Sequence, residues 1–255
     1  MYHVIGESLS FFKRNSNVKI QLYVVIPVFN EEEIIKAVVE DWITLLNKLK
    51  ISYKLKIFND GSTDSTLEEL KMLKNHYPNC IELIDQKNSG HGPTILRSYR
   101  ESLDSEWIFQ VDSDNEIKAH YFEDFWKVKD NYDFIIGKRV NRNSPVFRKI
   151  MTYFSYLVVK YFYGKGIKDV NCPYRLMRTN VFKDIFMNIP DDTFAPNIII
   201  SGMALRKGLN VNSFDIEFNT SVNKVSSLSS NITKLARISV NSFLEIINYA
   251  RKKEL

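Results

Sequence analysis

Asp112 and Asp114, in Asp112-Ser113-Asp114, close a run Glu106-Trp107-Ile108-Phe109-Gln110-Val111 that reads as a buried β-strand. Like charges this close at a strand's end are costly unless something cationic sits between them. The usual occupant is a divalent metal, Mg2+ or Mn2+, carrying a phosphate-rich ligand, because hard cations take carboxylate oxygens and share their open positions with phosphates. Two solvated loop aspartates have the same spacing, and for an isolated Asp-x-Asp that bland explanation wins. Here two further strand-end signals lie upstream in the right order, and they weigh toward metal binding.

The first is Tyr23-Val24-Val25-Ile26-Pro27-Val28-Phe29-Asn30-Glu31-Glu32-Glu33. Its β-branched residues predict a strand, Pro27 ends the ladder, and the glutamates open a helix where the dipole favours anions. A plain strand-to-helix connection explains the same glutamates without a ligand. The second is Leu55-Lys56-Ile57-Phe58-Asn59-Asp60-Gly61-Ser62-Thr63-Asp64-Ser65, a strand that stops at a permissive Gly61. Ser62 or Asp64 can cap the helix that follows. Capping leaves Asp60 free to point into the crevice beyond the strand ends, where open α/β sheets bind ligands.

Taken together, these residues resemble the family 2 inverting glycosyltransferases. Pro27-Val28-Phe29-Asn30-Glu31 looks like that family's Pro-x-Tyr-Asn-Glu opening, Asn59-Asp60-Gly61-Ser62-Thr63-Asp64 like its Asp-Asp-Gly-Ser-x-Asp, and Asp112-Ser113-Asp114 like its metal motif. Asn88-Ser89-Gly90-His91-Gly92 matches Asn-x-Gly-x-Gly, and Gly137-Lys138-Arg139 resembles the later Gly-x-Arg. Asp169-Val170-Asn171-Cys172-Pro173-Tyr174-Arg175-Leu176-Met177-Arg178 is similar to a stretch of the dolichyl- and polyprenyl-phosphate sugar synthases. The resemblance implies one GT-A-type, Rossmann-like domain. A nucleotide-sugar half would span about residues 20–140, and an acceptor half about 141–255.

The elements that must position these residues alternate. Strands are predicted near 20–28, 53–59, 80–86, 106–112 and 132–138, with helices over 31–50, 64–77, 92–104 and 118–130. That rhythm predicts an α/β fold with a mostly parallel central sheet flanked by helices. Beyond residue 141 the pattern changes to an aromatic helix near 146–163, a short strand at 174–179 and helices near 180–188 and 197–208. A strand near 210–218 and an amphipathic helix near 231–251 follow, the latter with Ile232, Leu235, Ala236, Phe243, Ile247 and Ala250 at helical spacing among Lys234, Arg237, Arg251 and Lys252.

The 255 residues suffice for one domain with a large core. Two cysteines, Cys80 and Cys172, argue against a disulfide framework and for a reducing cytosol, with Cys80 expected in an interior strand. An N-terminus carrying Glu7 makes a poor signal peptide, so the Lys252-Lys253-Glu254-Leu255 tail is read as coincidence rather than an ER-retention signal. The net charge of +5 matters less than its placement. Lys138, Arg139, Arg142, Arg148, Lys149, Lys160, Lys165 and Lys168 occur without an intervening acid, interleaved with Tyr153, Phe154, Tyr156, Tyr161, Phe162 and Tyr163. An interfacial helix at the inner face of a membrane and a core helix with snorkelling ends fit this composition about equally. No nucleic-acid motif accompanies it; the final amphipathic helix is expected to dock on the domain, and membrane contact or dimerisation would use the same face, which leaves the oligomeric state open.

The resemblance assigns a nucleotide-diphosphate sugar as donor and a metal on Asp114, helped by Asp112 and Glu116. It places Asp60 and Glu31 on base and ribose, Pro27, Phe29, Asn30, Asn88, Gly92, Ser113 and Arg175 at substrate positions, and Arg139 on phosphate oxygens. His91 could touch the ligand, although a histidine in a Gly-rich loop is usually only accommodated there. Transfer to a sugar hydroxyl needs a carboxylate base, for which Asp191 or Asp192 is available, although both could simply cap a helix. A phosphate acceptor is already anionic and needs none, which favours polyprenyl phosphate or another lipid-linked acceptor over a soluble glycan. Against that, Ser221-Val222-Asn223-Lys224-Val225-Ser226-Ser227 lacks the Arg and Gly of the related Arg-x-x-Gly-x-Ser, leaving Lys224 as a substitute charge. A sugar-phosphate nucleotidyltransferase or a dinucleotide oxidoreductase would want a Gly-rich loop after the first strand, and Pro27-Val28-Phe29-Asn30 is unlike one. A degenerate sugar-nucleotide binding module is opposed only by the intact aspartates.

Overall fold

The computed structural model describes residues 20–140, 146–218 and 243–251. The branched and aromatic runs form the strands β1 (Leu22–Val28), β2 (Tyr53–Asp60), β3 (Ile81–Gln86), β4 (Trp107–Gln110), β5 (Phe134–Val140), β6 (Arg175–Arg178) and β7 (Val211–Glu217). They make one seven-stranded sheet in the order β3-β2-β1-β4-β6-β5-β7. Only β6 runs antiparallel to its neighbours, β4 and β5. β1 and β4 are buried along their whole length, as central strands covered on both faces must be. Cys80 instead precedes β3, which is an edge strand and not the interior one expected. Both cysteines are free.

The helices are α1 (Ile35–Lys48), α2 (Thr66–His76), α3 (His91–Arg100), α4 (Phe122–Val128), α5 (Val146–Phe162), α6 (Thr179–Asn188) and α7 (Pro196–Arg206), with α8 over residues 243–251. Trp42 of α1 packs on Phe109 and Phe122 at ring distances of 5.2 and 5.6 Å, tying the helical layer to the middle of the sheet. Glu31, Glu32 and Glu33 lie in the turn before α1, which begins at Ile35 with no acid in its first turn. The expected 118–130 helix is a shorter α4 between two 3-10 turns.

Pro27 does end a ladder, but on one side only. β1 stays paired with β2 through Pro27 and Val28. Toward β4, pairing stops at Val25 opposite Gln110, and Val111 N donates to Val25 O. The next bond there would need an N–H from residue 27, which proline lacks. The two strands part at that point, and the chain after β4 turns away carrying Asp112-Ser113-Asp114.

On the far side, α5 and α7 pack together closely, leaving no room at Gly202 for a Cβ, which would meet the Tyr163 ring at 2.7 Å. Val159 and Tyr163 are buried, while Tyr153, Phe154 and Tyr161 are exposed. α5 is thus neither a fully buried core helix nor a free one. No helix among the described residues is long and apolar enough to cross a membrane. Glu7, Arg142, the 221–227 segment, Ile232, Lys234, Leu235, Ala236, Arg237 and the 252–255 tail lie outside the described residues.

Candidate active site

A cleft of about 590 Å³ opens beyond the carboxyl ends of β1, β2 and β4, where the switch in strand order of an open sheet leaves a crevice. Pro27, Phe29, Glu31, Asp60, Asn88, Asp112, Ser113, Asp114 and Arg139 all line it, so most of the residues singled out in the sequence meet here. Asn171, from the motif-like stretch 169–178, and Thr94, Phe194, Ala195, Pro196 and Asn197, which no motif marks, complete the opposite walls.

The loops that follow β1, β2 and β3 are stitched to one another. Asn30, at φ 55°, donates its amide to Ser62 Oγ at 3.0 Å and accepts from the Thr63 amide at 2.8 Å. It stands outside the cleft wall, clasping the loops after β1 and β2. Asp64 accepts from the Thr66 amide at 3.1 Å in the turn that enters α2, but the cap position itself is Ser65, which makes no side-chain cap bond. Ser62 is spent on the clasp and on Asn59. Asp60 accepts from the Ser89 amide at 2.8 Å, the Gly90 amide at 2.9 Å and Gln86 Nε2 at 2.7 Å. Burial raises its carboxyl pKa, but these bonds outweigh it and hold the group below the usual carboxylate range. The carboxylate expected to hold the base is therefore already committed to shaping the 88–90 loop.

On the cleft floor, burial pushes the Asp112 carboxyl above its usual range, and the neighbouring Asp114 charge pushes in the same direction. His91 Nε2, at the start of α3, lies 3.8 Å from Asp112 Oδ1 and partly offsets that field. Asp112 is also oriented from behind by Gln110 Nε2 at 2.9 Å. Gln110 Oε1 accepts from Asn197 Nδ2 at 3.1 Å, and the Tyr99 hydroxyl donates to Asn197 Oδ1 at 2.8 Å. This buried chain links the two faces of the cleft. Its one sequence signal is a polar glutamine inside an apolar strand.

The carboxylates of this floor fit a hard divalent cation, since each disfavours the other's charge until a cation is shared. A recess of about 40 Å³ is lined by Asp112, Asp114, Glu116 and Arg139. Glu116, expected as a third ligand, donates its backbone amide to Asp114 Oδ1 at 3.1 Å. Among the described residues no three His, Cys, Asp or Glu side chains are grouped as a metal cage. A cation here would take Asp112 and Asp114 and complete its shell with water and ligand oxygens.

Other expected site residues have partners of their own. Arg139 reaches the cleft but is held in a two-pronged pair with Asp169, Nε to Oδ2 at 2.7 Å and Nη2 to Oδ1 at 2.8 Å. Burial alone would lower its pKa; the Asp169 hydrogen bond and charge raise it instead, so the guanidinium is firmly charged. Arg175 is fully buried and spends its guanidinium on the backbone carbonyls of Cys172, Val170 and Asn197, ordering the 170–175 turn instead of touching the cleft. Gly92 also lies behind the wall, where a Cβ would come within 2.4 Å of Phe194 O and Thr193 O. Asp191 pairs with Arg100 in a separate cavity, and Asp192 is exposed and does not line the cleft. As folded, neither is placed as a base.

The model of the family described as "Glycosyl transferase family 2" matches residues 23–186, spanning the carboxyl ends of β1, β2 and β4 that open on the cleft. The chain belongs to glycosyl transferase family 2. It is 25% identical over 239 residues to a dolichyl-phosphate beta-glucosyltransferase of Trichomonas vaginalis, covering 87% of this chain and 73% of that protein. It is 24% identical over 193 residues to an undecaprenyl-phosphate 4-deoxy-4-formamido-L-arabinose transferase of Photorhabdus laumondii, covering 74% of this chain but only 58% of the relative. Glucosyl-3-phosphoglycerate synthase of Mycobacterium tuberculosis, solved with Mn2+, UDP and glucosyl-3-phosphoglycerate, superposes with a TM-score of 0.63 at 12% identity, covering 90% of this chain and 80% of that one. That likeness establishes the GT-A fold of the family.

Proposed function

We propose that this family 2 chain transfers a sugar, with inversion, from a nucleotide-diphosphate donor to a polyprenyl phosphate, assisted by Mg2+ or Mn2+. The observation that carries the proposal is the pairing of Asp112 and Asp114 at the end of β4, in a cleft whose other wall is the apolar segment Phe194-Ala195-Pro196. Asp112 and Asp114 would hold the metal, which as a Lewis acid offsets the charge developing on the departing diphosphate. The manganese and UDP bound by the mycobacterial relative support that assignment. Gln110 fixes the orientation of Asp112, and Asp60 sets the 88–90 loop against which the nucleotide would lie.

Acceptor chemistry follows from where the acids stand. Among the described residues, the carboxylates of the cleft wall are Glu31, Asp60, Asp112 and Asp114, all at strand ends of the donor half. A phosphate acceptor attacks as an anion and requires no carboxylate opposite them. The lipid-phosphate acceptors in the names of the relatives support the same class. Exposed Tyr153, Phe154 and Tyr161 on α5 suit a helix resting at a lipid surface, where such an acceptor is presented.

The test is transfer of label from UDP- and GDP-sugars, with Mn2+ or with EDTA, to a short polyprenyl phosphate or to a soluble oligosaccharide. Label entering the organic phase only with metal present is the expected result, and the anomeric configuration of the product, read by NMR, should be opposite to the donor's. Label appearing in the oligosaccharide, or metal-independent transfer, would overturn the proposal.

A further inference from the structure

Segment 193–196 forms the acceptor-side wall, yet little of its own chemistry holds it. Thr193 Oγ1 is buried without a hydrogen-bond partner among the described residues, and Phe194 is 50% exposed at the cleft mouth. From beneath, the segment rests on Gly92, which leaves no space for a side chain. From outside, it is met by α8. Both carboxylate oxygens of Glu245 lie 3.2 Å from the Phe194 amide, which donates to them.

α8 has a seat of its own. Ile246, Tyr249 and Ala250 are buried, Tyr163 Oη donates to Ile246 O at 2.9 Å, and Arg206 donates to Ala250 O. The Phe243 ring lies 6.3 Å from that of Phe154 on α5. None of these contacts uses Glu245, whose carboxylate is spent on a loop more than fifty residues away in sequence. Burial raises its pKa, and the Phe194 and Ala195 amides partly offset that. A half-buried carboxylate spent on the amide of a distant loop in this way is a tether.

We propose that Glu245 is a positioning residue that fixes the Thr193–Pro196 wall, and with it Phe194, for the acceptor. That it serves the acceptor rests on the function proposed above; that it fixes the wall does not. Loss of this charged hydrogen bond should weaken acceptor binding roughly tenfold.

The experiment compares the wild type, Glu245→Ala and Glu245→Gln. Site-resolved hydrogen exchange follows residues 193–196, calorimetry follows UDP with Mn2+, and steady-state assays with a short polyprenyl phosphate separate the acceptor KM from the donor KM. Glu245→Ala should speed exchange at Phe194 and Ala195 and raise the acceptor KM, with UDP affinity and donor KM unchanged. Glu245→Gln, which keeps one accepting oxygen, should restore most of both. Unprotected Phe194 and Ala195 amides in the wild type would sink the tether outright, even if the alanine variant failed to fold. A parallel rise in both KM values, or a glutamine variant as impaired as alanine, would overturn it as well. If the wild type transferred nothing to polyprenyl phosphate, the acceptor role would fall with the proposed function, while the exchange data would still judge the tether.

Discussion

The two sides of the cleft are built by opposite means. On the side proposed for the donor, polar groups of consecutive strand-end loops lock one another: Asn30 clasps Ser62 and Thr63, and Asp60 gathers the Ser89 and Gly90 amides. On the side proposed for the acceptor, the wall is Phe194, Ala195 and Pro196, flanked by helices that leave aromatic side chains exposed. The first surface is set by a saturated hydrogen-bond network, whereas the second presents apolar side chains on a segment held from outside through the Phe194 amide. A rigid, polar nucleotide diphosphate suits the first surface and a flexible apolar tail the second.

That contrast can be broken or sharpened by experiment. The largest effect is expected at the floor the two sides share. Asp114→Asn should lower turnover by at least about a hundredfold, equivalent to roughly 2.7 kcal/mol of barrier, and should abolish the Mn2+ dependence of UDP binding in calorimetry. Unchanged metal-dependent affinity would remove Asp114 from the site. Next in size is the acceptor side as a lipid surface. Replacing Arg148, Lys149 and Lys160 by Gln should weaken binding to anionic vesicles by about 1 kcal/mol per charge at low salt, with folding and UDP binding intact. Co-sedimentation at low and high salt checks this, and a wild type that ignores anionic vesicles at low salt would make α5 a purely packed helix.

Gly92→Ala attacks the seam between the sides. Its Cβ would press on the Thr193 and Phe194 carbonyls within 2.4 Å, and overpacking of this kind costs about 1–3 kcal/mol. A thermal melt should fall by several degrees, and a melt matching the wild type would mean the wall moves freely. The smallest of these effects, confined to the donor side, is expected at Asp60. Asp60→Ala should raise the donor KM roughly tenfold through loss of its charged hydrogen bonds to the 88–90 loop, changing kcat less. Asp60 also carries a pH signature. Its folded pKa is lowered from the usual 3.8, so its stabilisation is fully present above about pH 4 and is lost as pH falls through the lower folded value. The difference in melting temperature between wild type and Asp60→Asn should therefore be constant from pH 7 to 5 and shrink below pH 4. A difference that grew on acidification would contradict the bonding described here.

Much of this architecture is legible in the amino-acid sequence. Alternating apolar runs mark the sheet and its helices, because a strand covered on both faces must be apolar throughout. Pro27, Gly61 and the strand-end acids mark the crevice, because turn chemistry and charge are local properties of a sequence. Arg175 and Asn30 mislead for the reverse reason: an arginine or asparagine in a motif looks the same whether it faces a ligand or a backbone carbonyl. The Gln110–Asn197–Tyr99 chain and the Glu245 tether leave almost no trace in the sequence because their partners are far apart along it.

The sequence by itself determined the α/β class, the strand ends and the chemistry collected there, since periodicity, β-branching and turn residues act over a few neighbouring positions. Only the tertiary structure decided that β6 enters the sheet antiparallel between β4 and β5, that Arg139 is paired with Asp169, and that Asp191 points at Arg100 and not into the cleft. Each of these depends on which distant groups burial leaves as the available partner for a charge or a backbone amide. That choice is settled when the layers pack, because a buried polar group must find its bond within the fold.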